Sequence, residues 1–350
     1  MSKRIFIIGA GAVGAYVGGN MAKAGADVTF VDPWAEHVDK MQRDGLELRG
    51  RTDEECFNVK VTAMLPDEFA ALASSRPVDI GIISTKSFDT QWAAELVAPA
   101  LADDGFVVSL QNCINEDRIA AVVGPERTTG CIASTISVEL KEPALVQRNV
   151  PKRGDSYTVF RCGELDGSAS QRVADFVALL ADVDSAKQTT NLMGERWSKL
   201  TINASSNGVS ACTGLDSRDM ALNAAPRWLS IRLAAETIRV AQALGVELES
   251  IRGVAPDDWV AAADGDAEVR QQIEDKTIAA AAERAPGGRP SMGQDMLKGR
   301  RTEIDFLNGY VCERGSELGI PTPANAGLTR AVQQVERGEL PADPSRIDGI

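Results

Sequence analysis

Lys199, Asn203 and Asn207 recur at every fourth position, which on a helix places them on one face at i, i+4 and i+8. The residues between them, Thr201, Ile202, Ser205 and Ser206 among them, are weak helix formers, and a solvent-facing stripe more often carries Glu, Lys or Arg. A lysine beside two neutral amides suits a half-buried face. Such a face can be aimed into a cleft, where an ammonium can neutralise negative charge. The plainer reading is an incidental polar face.

A second group able to do chemistry lies at the start of the chain. The apolar run Ile5–Ile8 ends in Gly9-Ala10-Gly11-Ala12-Val13-Gly14, and Ala15-Tyr16-Val17 opens a helix-like segment. In a strand–turn–helix of this kind Gly9 makes the tight turn, Gly11 lets a pyrophosphate approach bare backbone, and Gly14 lets the helix pack close to the strand. The anion then rests on unpaired N–H groups at the positive end of the helix dipole. A glycine-rich turn alone says little. Here the next strand-like run, Val28–Val31, ends in Asp32, 18 residues past Gly14, near the separation at which a carboxylate meets the ribose. The pair defines a dinucleotide site.

What the chain lacks narrows the reaction. His37 is the sole histidine and follows the second strand, so no histidine acid is available later in the chain. Tyr16, Tyr157 and Tyr310 are followed four residues on by Asn20, Arg161 and Arg314, so no Tyr-x-x-x-Lys pair exists. The six cysteines, at 56, 113, 131, 162, 212 and 312, form no CxxC pair and no zinc spacing. No metal site is expected, and a reducing enzyme built on this chain must take its proton from a lysine or a carboxylate. Among the lysines, Lys199 alone has two uncharged polar groups one and two turns later.

The elements that must position these groups read as α/β followed by all-α. Val78–Ile83 and 106–110 are apolar runs separated by helical text such as 92–101, which implies a Rossmann-like, doubly wound parallel sheet. Strand-like segments near 132–140 and 158–162 and an amphipathic helix at 168–181 complete this part. Beyond 185–191 strand signals vanish and helical text follows at 193–207, 226–244, 257–284, 292–298 and 303–318. The expected domains are 1–187, holding the dinucleotide, and 188–350, a helical substrate and catalytic domain. At 350 residues two cores are the default. A net charge of −13 argues against nucleic acid or an anionic membrane as partner. No apolar run reaches a membrane span of about 20 residues. The early first strand and the scattered thiols suit a reduced, cytoplasmic protein.

Polar groups stand at two expected strand ends, Ser84-Thr85-Lys86 and Gln111-Asn112, where a cofactor crevice would open. Lys86 reads equally well as a solvated loop lysine, and Asn112 as a turn residue. Further on, Ser291 and Gln294 have the spacing of a capping box, and Thr302 with Asp305 resembles a second cap that leaves Glu303 in a first turn. Capping alone would account for them, although a helix start also seats a carboxylate.

Together these residues resemble the ketopantoate reductase (2-dehydropantoate 2-reductase) family. The likeness rests on the glycine loop, Ser84-Thr85-Lys86, Leu110-Gln111-Asn112, Trp197-Ser198-Lys199-Leu200 with Asn203 and Asn207, Ser291, and Thr302-Glu303-Ile304-Asp305 leading to Asn308-Gly309-Tyr310, in order from Lys3 to about Pro323. The resemblance implies an NAD(P)-dependent oxidoreductase that moves hydride between the nicotinamide and the C2 of a 2-keto or 2-hydroxy acid. It further implies that Lys199 protonates the carbonyl oxygen and that Glu303 holds this lysine and borders the cofactor. By the same resemblance Asn112 sits where nicotinamide and substrate meet, Asn203, Asn207 and Ser291 bind substrate oxygens, and Lys86 supports the cofactor.

Three departures carry information. Asp32 stands where the family often has a basic residue; a carboxylate there accepts ribose hydroxyls and repels a 2′-phosphate, which points to NAD with NADP as the alternative. Cys113-Ile114 follows Asn112 where the family usually has glycine, and the acidic stretch 257–284 is long for the family. The expected partner is a small 2-keto or 2-hydroxy acid, ketopantoate by default or another branched or aromatic acid, and a homodimer is allowed. A nucleotide-sensing protein that kept the fold and lost catalysis is the reading from a different class.

Overall fold

The computed structural model describes residues 3–72, 77–152 and 154–350. Its first strand, β1 (Arg4–Ile8), is buried on both faces. Ile5 and Ile7 enter one core with Val17, Phe30 and Val108, while Phe6 and Ile8 enter another with Val31, Phe69 and Val107. A strand covered on both sides needs an unbroken apolar run, and Ile5–Ile8 supplies it.

The other strands are β2 (Asp27–Val31), β3 (Leu46–Arg49), β4 (Phe57–Val59), β5 (Thr62–Met64), β6 (Val78–Ile83), β7 (Leu101–Ser109), β8 (Thr128–Ala133), β9 (Val138–Glu142), β10 (Leu145–Arg148), β11 (Phe160–Glu164) and β12 (Ala186–Gln188). The helices among them are α1 (Ala12–Lys23), α2 (Ala35–Asp44), α3 (Pro66–Leu72), α4 (Thr90–Val97), α5 (Glu116–Val123) and α6 (Gln171–Ala181). The main sheet runs β12-β11-β8-β7-β6-β1-β2-β5. From β5 across to β8 every pairing is parallel. Those strands, numbered among themselves along the chain, follow the doubly wound order 3-2-1-4-5-6. The order reverses between β1 and β6, so the crevice at their C-terminal ends is where a nucleotide binds in such sheets. β11 is antiparallel to β8 and extends the sheet, and β12 follows it in parallel.

A second sheet, β4-β3-β10-β9, covers α1 from the other side. Leu46, Leu48 and Val146 share a core with Val17 and Met21, and a Cβ on Gly19 would stand 2.7 Å from Leu48 Cδ1. The sequence reading has no counterpart for this sheet, because its strands are three to five residues long and partly polar. The expected strand at 132–140 divides between the two sheets; the chain turns out of β8 through Thr135 (φ 60°) and Ser137 (φ 37°) before β9 starts. The expected helix 92–101 also stops early. α4 ends at Val97, and Ala98–Ala100 is a 3₁₀ turn holding Pro99, whose missing N–H cannot continue an α-helix.

Arg148 ties this second sheet to α1. Its guanidinium is fully buried, bonds Tyr16 Oη at 3.0 Å and pairs with Asp184 at 2.5 Å. Burial pushes the Tyr16 phenol up, with Arg148 opposing it.

The chain divides into two compact units, Met1–Leu192 and Met193–Ile350. The second is helical: α7 (Leu192–Ala204), α8 (Asn207–Thr213), α9 (Ser217–Leu222), α10 (Ala224–Ala243), α11 (Pro256–Ala263), α12 (Ala267–Ala282), α13 (Ser291–Leu297), α14 (Asn308–Leu318) and α15 (Pro323–Glu336). The stretch 257–284, expected as one helix, is two. Gly265 (φ 109°) breaks it, and Asp266 caps α12 by accepting from the N–H groups of Glu268 and Val269. Among the described residues no helix is long and apolar enough to cross a membrane.

Candidate active site

The sheet unit gathers a candidate nucleotide cradle at the C-terminal ends of β1, β2, β6 and β7. Gly9 has φ 93°, and a Cβ there would stand 2.8 Å from the Thr85 backbone nitrogen, so only glycine fits between β1 and the loop after β6. A Cβ on Gly14 would collide with Gly9 O and Ser84 Oγ, which is the close helix–strand packing expected of it. Among the described residues nothing lies within 4 Å of where a Cβ on Gly11 would be. No side chain caps the start of α1, and no acid stands in its first turn, which Ala12, Val13 and Gly14 form. An open, uncapped helix start beside a bare glycine fits a pyrophosphate.

Asp32 follows β2 and is held in place by backbone donors. Oδ2 accepts the Ala10 N–H at 2.7 Å and Oδ1 the Trp34 N–H at 2.9 Å. Each carboxylate oxygen keeps a further lone pair for a ribose hydroxyl. Ser84 Oγ donates to Gly9 O at 2.6 Å, joining the glycine turn to the end of β6.

Lys86, partly buried, precedes the 3₁₀ turn Ser87–Asp89. Asn112, also partly buried, lies in the turn after β7, and its carbonyl accepts from Asn115 Nδ2 at 2.9 Å. The two loops are laced together by Gln111, whose Nε2 donates to Thr85 O at 3.1 Å and Thr90 Oγ1 at 2.9 Å. Cys113 takes φ 67°, a left-handed backbone that glycine adopts without strain. The sequence reading missed the bracing roles of Ser84, Gln111 and Asn115. Their only signal was small or amide side chains at strand ends.

The helical unit carries the remaining groups, and one expectation about it fails. Lys199 and Asn203 lie one turn apart on α7, both partly buried, but Asn207 is not on that helix. α7 ends at Ala204, a turn follows at Ser205 and Ser206, and Asn207 opens α8. Both serine hydroxyls donate to the Ile202 carbonyl, at 3.0 and 2.7 Å, competing with the helix for the acceptor it needs to continue. Asn207 is nonetheless buried.

The caps also differ. Pro290, not Ser291, is the N-cap of α13; Ser291 is its first residue and is exposed, and Gln294 Nε2 turns to Arg289 O. Thr302 bonds Glu336 Oε2 through its N–H (2.9 Å) and its hydroxyl (2.5 Å), while Asp305 accepts from Gln333, so the two form no reciprocal box. Glu303 is buried and starts the 3₁₀ turn Ile304–Phe306 that precedes α14.

α8 is the hub of this half. Gly208 lets Ile304 approach, with a built Cβ 3.1 Å from Ile304 Cδ1, and Gly293 of α13 fits only because Ser210 faces a bare glycine. Asn308, fully buried, donates to Ala204 O at 2.9 Å and to Asn325 Oδ1 at 2.9 Å. Asn325 in turn bonds Glu236 of α10, whose carboxylate also accepts the N–H groups of Ala324 and Asn325 at the start of α15. The elements bearing Asn203, Asn207, Ser291 and Glu303 are thus packed on one another. Among the described residues no His, Cys, Asp and Glu cluster could hold a metal, and burial pushes the Cys212 thiol up to about 12, leaving it unreactive.

A doubly wound sheet with an open glycine turn and a fixed acid after its second strand defines a dinucleotide-binding protein. Residues 5–157 match the family described as "Ketopantoate reductase PanE/ApbA", and residues 191–336 match its C-terminal counterpart. The chain belongs to the ketopantoate reductase family and is an oxidoreductase acting on CH–OH groups with a nicotinamide cofactor. It is 28% identical to the 2-dehydropantoate 2-reductase of Archaeoglobus fulgidus over 340 residues, covering 96% of this chain and 99% of that one. The enzyme of the same name from Pyrococcus horikoshii is 27% identical, over 95% of this chain and 97% of its own. Among solved structures, a family member from Ralstonia eutropha superposes with a TM-score of 0.76 at 28% identity, covering 96% and 99% of the two chains. A D-mandelate dehydrogenase, solved with NADH and anilino(oxo)acetate, shares the fold with a TM-score of 0.77 at 22% identity, covering 96% and 98%.

Proposed function

We propose that the enzyme interconverts a 2-keto acid and its 2-hydroxy acid with NAD(H), ketopantoate being the default substrate. Residues 1–187 hold the dinucleotide, and 188–350 supply the substrate-binding and acid groups. The relatives named 2-dehydropantoate 2-reductase align along nearly their whole length, which supports the reaction and the default substrate. One observation carries the cofactor choice: the Asp32 carboxylate, fixed by the N–H groups of Ala10 and Trp34 at the end of β2. It can accept ribose hydroxyls, but a 2′-phosphate beside it meets a like charge. At 4 Å that pair costs roughly 1 to 4 kcal/mol, hence about fivefold to several-hundredfold in affinity.

A nicotinamide held by the glycine turn and Asp32 would supply the hydride. Lys199 gives its proton to the substrate oxygen, so the negative charge of the reduced carbonyl never stands alone. Glu303 keeps that lysine cationic and aimed. Asn203, Asn207 and Ser291 hold substrate oxygens, Asn112 borders both substrate and cofactor, and Lys86 supports the cofactor. The test is a panel of 2-keto acids, ketopantoate with branched and aromatic analogues, followed at 340 nm with NADH and with NADPH. NADH should be preferred by at least tenfold in kcat/KM, and Asp32→Ala should narrow the gap. Equal use of both cofactors by the unaltered enzyme would sink the assignment to NAD, and no turnover of any acid would sink the reaction.

A further inference from the structure

His37, the sole histidine, takes no part in the proposed proton transfer, yet its ring is fully buried and bonded at both nitrogens. Nδ1 accepts the Ala144 N–H at 2.8 Å, so that nitrogen carries no proton. Nε2 therefore holds the hydrogen and donates it to Ala10 O at 2.9 Å. The N–H of the same Ala10 goes to Asp32 at 2.7 Å. Side chains from the β2–α2 segment thus grip both backbone groups of the residue between Gly9 and Gly11.

The far anchor is rigid as well. Ala144 is the second residue of the two-residue turn Pro143-Ala144 between β9 and β10; it has φ 57° and its carbonyl accepts the Glu47 N–H at 2.8 Å. The Trp34 ring stacks on the imidazole with centroids 5.4 Å apart and planes 18° apart.

We propose that His37 is a positioning residue for the dinucleotide: by tying Ala10 to the β9–β10 turn it fixes the glycine loop in its binding shape before the cofactor arrives. The inference rests on the cofactor reading above. A turn with glycine on both sides of Ala10 is the freest kind of backbone, and ordering it only on binding would weaken affinity. The ring never meets the reacting atoms, so its loss should appear in cofactor binding and not in the chemical step.

His37→Leu removes both bonds at similar volume, whereas His37→Gln keeps a side-chain N–H for Ala10. His37→Leu should raise Kd and KM for NADH about tenfold, the weight of one hydrogen bond, while kcat at saturating NADH and KM for the keto acid stay within twofold. His37→Gln should recover most of the loss. A His37→Leu protein with a lower Tm but unchanged Kd would show the ring to be core filling and overturn the proposal. Should His37→Leu not fold, the wild type still decides. In untagged, ¹⁵N-labelled protein the single imidazole should show the Nε2–H tautomer, and its resonances should move on adding NADH. The opposite tautomer, or resonances indifferent to saturating NADH, overturns the proposal. If the wild type binds neither NADH nor NADPH, the cofactor reading falls and takes this inference with it. Normal NADH binding by all variants removes this inference alone.

Discussion

Removing the ammonium of Lys199 should cut kcat by roughly 10² to 10⁴, the usual worth of a positioned acid, while NADH binding stays near normal. Lys199→Ala followed across pH 6 to 9 checks this, and unchanged turnover would move the proton source elsewhere. Glu303→Ala should impair turnover too. If the two residues act as one unit, the double variant will lose far less than the product of the single losses. Ser291 offers a cleaner experiment than its expected role as a cap would have allowed. It is exposed and does not cap α13, so Ser291→Ala should leave Tm unchanged. A rise in KM for the keto acid of about tenfold to a hundredfold would then report a lost hydrogen bond to substrate, worth about 1.5 to 3 kcal/mol for a charged group. An unaltered KM removes Ser291 from the site.

The helical half depends on how α7, α8, α14 and α15 are locked together, and Asn308 is the bolt. Its amide satisfies the carbonyl of Ala204, where α7 ends, and the side chain of Asn325. Asn308→Ala leaves both acceptors buried without a donor, at a cost of about 1 to 3 kcal/mol each when water cannot enter. Urea denaturation should show a lower midpoint with an unchanged m-value. Because the end of α7 would be loosened one residue from Asn203, KM for the keto acid should rise as well. Loss of stability with a normal KM would limit Asn308 to the core. In the sheet half the corresponding work is shared by Gln111 and Ser84, which tie the loops after β1, β6 and β7 into one cradle.

Across the whole fold, His37 gives stability a pH dependence near neutrality that no other side chain of ordinary pKa supplies. Burial pushes its pKa below the usual 6.5, with Asp32 and the Ala10 carbonyl pulling the other way. In the window between the two values the unfolded chain therefore binds more protons than the folded one. The stability contributed by the neutral ring is complete above about 6.5 and is lost as pH falls through the folded pKa. Between pH 7.5 and 5.5, Tm of the wild type should fall more steeply than that of His37→Gln; parallel curves would show that the ring titrates normally.

Much of this architecture was legible in the order of residues. Ile5–Ile8, the glycine turn and Asp32 follow from local rules, since a strand buried on both faces must be apolar and a turn at φ 93° must be glycine. The α/β half followed by a helical half was readable from periodicity for the same reason. The second sheet was not, because strands of three to five half-polar residues gain their stability from α1 beneath them and leave little periodic signal. The break at Ser205 and Ser206 turns on where two hydroxyls find an acceptor, and the caps at Ser291 and Thr302 on partners as distant as Glu336. The histidine shows the division most sharply. The order of residues alone excluded it from the helical half, whereas its two bonds, to residues 27 and 107 positions away, exist only because folding brings Ala10 and Ala144 to opposite sides of one ring.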